Sequence, residues 1–260
     1  MKIANRGYES ARNGLASVVC YRSFSPRVHP GKCRAIHFFW FCNMAKTVVV
    51  TAANSDYFHL LKDWFASMAA FPELGNLDCC VLDVGLNGEQ REWLKAQGIR
   101  TIEPAWDFDV KLRPDLPHYY KAMTVRPFLP RYFPEYAIII WLDADIWIQN
   151  PSYLRDYVLG AERYGFVLTP EVDRAYSTMF GEYNKTRLFH HSVYYKNFGR
   201  AVADQLINYP ILNAGAFAAQ RDHPILEHLA EDISASYSEL QYAEFGSGGV
   251  ELGNLQRSAR

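Results

Sequence analysis

Cysteine is scarce and unpatterned in this 260-residue chain. It has five, Cys20, Cys33, Cys42, Cys79 and Cys80, an odd number without any Cys-x-x-Cys pair. That spacing excludes a disulfide framework and indicates no structural zinc site. Cys79 and Cys80 are adjacent in an apolar run, and neighbours in a strand point to opposite faces. Both are therefore expected to be free core thiols, in a reducing compartment, the cytoplasm. Net charge is also lacking, since 27 Lys and Arg stand against 28 Asp and Glu. The chain as a whole thus offers no electrostatic case for nucleic acid or an anionic membrane as partner. No apolar run is long enough to span a bilayer: residues 36–44 are too few, and Lys46 interrupts their continuation.

What the chain does have is a globular composition, 49% hydrophobic and 21% charged, and enough length for one large domain with a sizeable core. Residues 1–43 stand apart. They carry seven Lys or Arg against the single acid Glu9, and no clear periodicity. They are expected to be a non-core extension, either a transit-peptide-like segment or upstream sequence, with Met44 as the natural first residue. Residues 44–240 are expected to form the domain. Residues 241–260, Gly-rich at their start and poor in apolar residues, read as a disordered or truncated tail.

From Thr47 onward, strand and helix patterns alternate. Thr47–Ala53 is a buried strand. Asn54, Ser55 and Asp56 supply N-cap chemistry for a helix with Leu60, Leu61, Trp64, Phe65 and Met68 on one face. Leu77–Val84 and Ile99–Ile102 are further strands. Between them Asn87 and Gln90 make a capping pair for a helix that Gly98 stops. A Pro-rich loop with Trp106, Asp107 and Asp109 leads to a helix over Ala122–Tyr132. Later come strands at Phe166–Leu168 and Ile211–Ala219, a helix over Ile225–Ile233, and a long polar and aromatic loop over 170–194. The β-α-β-α order predicts a mostly parallel sheet with helices on both faces.

The most informative stretch is 137–145. Ala137–Leu142 is apolar without alternation, as in a central strand covered on both faces, and Asp143 and Asp145 follow where it runs out. The carboxyl edge of an open α/β sheet is where ligands bind. Two carboxylates there suit a hard divalent cation, which in turn neutralises a diphosphate. The plain alternative is a strand ending in a polar turn.

Four segments together resemble the GT-A nucleotide-sugar glycosyltransferases, especially family 8, the glycogenin and bacterial galactosyltransferase group. They are Thr51-Ala-Ala-Asn-Ser-Asp-Tyr57, the helix bearing Arg126 seventeen positions before Asp143, Asp143-Ala-Asp145 running on to Asn150-Pro151, and Leu212-Asn-Ala-Gly-Ala-Phe217. The resemblance covers roughly residues 46–235. It implies a GT-A, Rossmann-like three-layer α/β sandwich. It places Ala52, Ala53, Asn54, Asp56 and Tyr57 around the nucleoside, Arg126 on the donor diphosphate, and Asn213 and Gly215 along the sugar pocket. It also makes Asp143 and Asp145 ligands of Mn²⁺ or Mg²⁺. A guanidinium suits the diphosphate because it stays charged and binds phosphate bidentately. Taken by itself, the 51–57 turn reads equally as ordinary N-capping by Asn54 or Asp56. Lys121, from the same helix entry as Arg126, reads as part of a solvated face.

The function implied is metal-dependent transfer of a sugar from a nucleoside-diphosphate sugar, a UDP-sugar, to a glycan, lipid or protein acceptor, with retention of configuration. The chain departs from the family in lacking a His-x-x-Gly-x-x-Lys-Pro segment after residue 240 and the family's Asp-Gln pair. His190 and His191 are the substitutes on paper for the third metal ligand. A sugar-phosphate nucleotidyltransferase is an alternative, but residues 51–57 hold no glycine for its phosphate loop. A haloacid-dehalogenase-like phosphatase needs a late acidic pair at a strand end, and Glu231-Asp232 lies in a helical pattern. A glycosyltransferase fold that binds nucleotide without turnover is the non-enzyme reading.

Overall fold

The computed structural model describes residues 45–75, 77–109, 116–170 and 185–238. The extension at 1–43, the tail at 241–260 and residues 171–184 of the expected loop lie outside them. The strands are β1 Thr47–Ala53, β2 Asp78–Asp83, β3 Arg100–Ile102, β4 Ile138–Leu142, β5 Phe166–Pro170 and β6 Leu212–Gln220. They form a sheet of order β3-β2-β1-β4-β6-β5. β3, β2, β1 and β4 run parallel, and β6 is antiparallel to both its neighbours, β4 and β5. The mostly parallel three-layer sandwich is thus present.

β1 and β4 show why their sequences are unbroken apolar runs. Alternate side chains go to opposite layers. Val49, Ile138, Ile140 and Leu142 pack with Trp64 and Met68 of α1 (Phe58–Ala69) and with Leu154 and Val158 of α5 (Ser152–Tyr164). Val48, Val50, Ile139 and Trp141 pack on the other face with Val125, Leu129 and Phe133. Each fully buried aliphatic of this kind contributes about 1.5–3 kcal/mol. Burial likewise raises the thiols of Cys79 and Cys80, both free, to about 12, which keeps them uncharged.

α2 (Gly88–Ala96) begins with the expected reciprocal cap: Asn87 Oδ1 accepts the Gln90 N–H at 3.0 Å, and Gln90 Oε1 accepts the Asn87 N–H at 2.9 Å. Gly98, at φ 69°, follows its end in the left-handed region that glycine tolerates.

Three expectations need correction. The helix over 122–132 is broken into α3 (Lys121–Thr124), a 3₁₀ turn at Arg126–Phe128 and α4 (Leu129–Tyr132), because Pro127 and Pro130 each remove an amide donor. The loop expected through 194 gives way at 185 to α6 (Lys185–Leu206), kinked at Gly199 with φ 77°. Its buried side, including Val193, Tyr194, Ala203 and Leu206, is interleaved with His and Lys, which hides the period. α7 spans Pro224–Ser238, longer at both ends than expected.

Candidate functional site

The carboxyl ends of β1 and β4 meet at one edge of the sheet. β1 ends in Ala52 and Ala53, and the turn to α1 supplies Asn54, Asp56 and Tyr57. β4 ends before Asp143, Ala144 and Asp145. All of these and Arg126 line a single cleft of about 540 Å³. Eight of the ten residues singled out from the sequence are therefore brought together around one space. Asn213 and Gly215 do not line it but adjoin it through Asp143. The Asp143 N–H donates to the Gly215 carbonyl at 2.8 Å, and the Gly215 N–H donates to Asn213 Oδ1 at 2.7 Å.

The alternation along β4 aims Asp143. It shares the parity of Ile139 and Trp141, and so faces the layer that carries Arg126. Arg126 is almost fully buried. Its Nη2 donates to Asp143 Oδ1 at 2.9 Å, and the Trp141 indole N–H donates to the same oxygen at 2.8 Å. The guanidinium carbon stands 5.0 Å from the centre of the Trp141 ring, a cation–π arrangement.

Asp145 is exposed at the cleft, yet the surrounding walls displace enough water to raise its carboxyl above the usual carboxylate range. The neighbouring Asp143 charge adds to that shift, and Arg126 only partly offsets it. Two carboxylates that repel across one intervening residue are a donor set suited to a divalent cation. Mg²⁺ and ions like it take one or two protein carboxylates and complete their shell with water and phosphate oxygens, so the pair fits such an ion. Among the described residues no group of three or more His, Cys, Asp or Glu is gathered to hold a metal. His190 and His191 are on α6 and outside the cleft lining, and His191 pairs with Asp204 on its own helix at 2.8 Å.

The turn between β1 and α1 is braced from outside. The Asn54 carboxamide accepts the Tyr57 N–H at 3.1 Å and so closes this turn while also lining the cleft, but α1 starts from Tyr57 with no side-chain cap, so the expected N-cap by Asn54 or Asp56 is not formed. The Ser55 N–H donates to the Gly85 carbonyl at 3.0 Å, and its hydroxyl lies 2.9 Å from Gln90 Oε1. Lys121 is not on a solvated face. It is buried, with its ammonium 4.0 Å from Glu103 Oε1 and 5.7 Å from the Trp106 ring centre. The cleft is further lined by Val84, Tyr119, Ala122, Met123 and Trp141, which sequence reasoning did not select. Only Trp141 carried a signal, an indole N–H inside an otherwise aliphatic strand.

No family model and no curated protein sequence matches the chain. Solved structures do. The galactosyltransferase LgtC, crystallised with donor and acceptor sugar analogs, superposes with a TM-score of 0.52 at 19% identity, over 79% of this chain and 69% of that one. The bifunctional glycosyltransferase WbbM, in its apo structure, superposes with a TM-score of 0.49 at 13% identity, over 82% of this chain and 37% of that one. The likeness to LgtC, with the strand order above, shows a GT-A nucleotide-sugar glycosyltransferase fold. No helix among the described residues is long and apolar enough to cross a membrane.

Proposed function

We propose that this protein is a glycosyltransferase that takes its sugar from a nucleoside-diphosphate sugar, a UDP-sugar, and passes it to a glycan, lipid or protein acceptor. The observation that carries the reading is the convergence of the Asn54–Tyr57 turn, Arg126, Asp143 and Asp145 on one cleft of about 540 Å³ at the carboxyl edge of the sheet. That volume is in the range of small-molecule sites. LgtC, which shares the fold, is a galactosyltransferase bound to donor and acceptor sugar analogs.

In this reading the polar turn and Tyr57 hold the nucleoside. Arg126 faces the diphosphate with a charge that never titrates away. Asp143 and Asp145 would hold Mn²⁺ or Mg²⁺, which when bound offsets the charge that grows on the diphosphate as it leaves. The acceptor hydroxyl oxygen bonds to the sugar anomeric carbon while the bond from that carbon to the diphosphate oxygen breaks, and the hydroxyl proton passes to the departing diphosphate. Transfer with retention belongs to the same reading and is supported by the family 8 resemblance. The test is calorimetry with UDP and Mn²⁺. Asp143→Ala and Asp145→Ala are each expected to abolish metal-dependent binding and to leave the fold intact, though Asp143→Ala should melt lower because it takes an acceptor from the buried Arg126 guanidinium and the Trp141 N–H. Unchanged metal-dependent binding in both variants would refute the assignment, and binding without sugar transfer to any acceptor would favour a nucleotide-binding protein.

A further inference from the structure

Trp141 sits in the middle of the core and at the cleft wall at once. The residue is 1% exposed, packed among the side chains of the layer that carries Val125 and Leu129. Its neighbours in β4, Ile138, Ile139, Ile140 and Leu142, fill their positions with carbon alone. An indole adds one polar atom, an N–H that can only donate. Here that N–H meets Asp143 Oδ1 at 2.8 Å, the oxygen that also receives Arg126 Nη2 at 2.9 Å. The face of the same ring lies 5.0 Å below the Arg126 guanidinium. One rigid side chain therefore touches both the carboxylate read above as a metal ligand and the cation read as a diphosphate clamp.

We propose that Trp141 is the positioning residue of the donor site. Its indole N–H fixes the Asp143 carboxylate through one oxygen, and its face holds Arg126 in register, so the metal and phosphate positions keep one relative geometry. This rests on the reading of the cleft as a donor site. A carboxylate held through a single oxygen keeps its other lone pairs for a cation, and the ordering cost is met on folding rather than on binding. Hydrogen-bond partners behind a metal ligand typically matter by 10- to 100-fold in metal affinity when removed.

The experiment is calorimetric titration of the full chain with UDP, with and without Mn²⁺. Trp141→Phe keeps an aromatic face beneath Arg126, deletes the N–H, and leaves a small void where the larger indole packed, which lowers the melting temperature but supplies no donor to Asp143. It should lose about 10- to 100-fold in Mn²⁺-dependent affinity, while metal-free affinity stays within about twofold. Trp141→His packs less well but keeps a ring N–H, and should bind Mn²⁺ with UDP more tightly than the Phe variant even where it melts at lower temperature. A Phe variant with wild-type Mn²⁺ dependence would overturn the proposal alone, as would a His variant that binds no better than the Phe one. A wild-type protein whose UDP binding ignores Mn²⁺ would overturn the donor-site reading and the proposal with it.

Discussion

Gly215 and Asp143 stand so close that a Cβ on the glycine would lie 2.5 Å from Asp143 Oδ2. The same atom would lie 2.9 Å from Asn213 Oδ1. β6 runs beside β4, and Leu142 pairs with Ala216, so the glycine is opposite the first residue past the end of β4. Its value is the room it leaves, since its backbone is not among those with positive φ.

Gly215→Ala should therefore act on the carboxylate before it acts on the fold. Asp143 Oδ1 is held by Arg126 and Trp141, so the methyl group must push the whole carboxylate off its hydrogen bonds. If Asp143 holds the ion as proposed, Mn²⁺-dependent UDP affinity should fall about tenfold or more, the usual effect of a change behind a metal ligand. The melting temperature should fall modestly, since overpacking costs about 1–3 kcal/mol. Calorimetry and thermal melts on one preparation check both, and an Ala variant that binds as well as the wild type would show that the carboxylate yields without consequence.

Asp145 gives a pH dependence of definite sign. Its folded-state pKa lies above the unfolded value, first because the cleft walls displace water from around it and then because of Asp143. The stability this group contributes is complete below the ordinary carboxylate value of 3.8 and is lost as pH rises through the raised folded value. At neutral pH the paired charges cost stability, so Asp145→Asn should melt higher than the wild type there. The difference should vanish in acid below that ordinary value. Mn²⁺ should reverse the order at neutral pH by stabilising the wild type alone. Melting curves across pH, with and without Mn²⁺, provide the check, and an Asn variant that melts lower at neutral pH without metal would contradict it.

The sequence made the parallel core legible because a strand buried on both faces has no alternation to disguise it, as in Thr47–Ala53 and Ile138–Leu142. Asp143 and Asp145 stood out for the same reason, as the first charges after such a run. The Asn87–Gln90 cap was legible because its chemistry is local. The placement of Lys121 in the interior was not, since its partners Glu103 and Trp106 come from a preceding loop. The first part of α6 has no legible period because its buried residues alternate with histidines and charges. Trp141 passed as core because burial and function use the same side chain.

Asp83 should make acid stability visible. It is buried at the end of β2, where its Oδ1 accepts the Gly85 and Leu86 N–H groups at 2.9 and 2.8 Å. Its other oxygen meets Arg91 Nε at 2.5 Å. Burial alone would raise the carboxyl, but the Arg91 hydrogen bond and the two backbone donors outweigh it, and the net shift is downward. Stability from Asp83 is present above the ordinary value of 3.8 and is lost as pH falls through the lowered folded value. Asp83→Ala strands two backbone donors and should cost about 2 kcal/mol at neutral pH. Denaturant melts of both proteins should converge in acid, and a cost that persists unchanged there would mean that packing, and not the carboxylate, is responsible.

Gln90 should couple this β2–α2 loop to the cleft. Its Oε1 lies 2.9 Å from both the Asn87 N and the Ser55 hydroxyl, and its Nε2 donates to the Ser55 carbonyl at 3.3 Å. Ser55 is the one residue of the 54–57 turn that turns away from the cleft, and Gln90 is what it turns to. Gln90→Ala removes these bonds and should free the turn. At about 1 kcal/mol net for the hydrogen bonds lost, UDP affinity should fall about fivefold, and the Tyr57 amide should exchange faster. Asn87→Ala supplies the contrast. It removes the cap of α2, worth about 1 kcal/mol, without touching Ser55, so it should lower the melting temperature and leave UDP affinity nearly unchanged. Equal losses of affinity in the two variants would mean that α2 as a whole supports the turn and that the Gln90 side chain has no separate part in it.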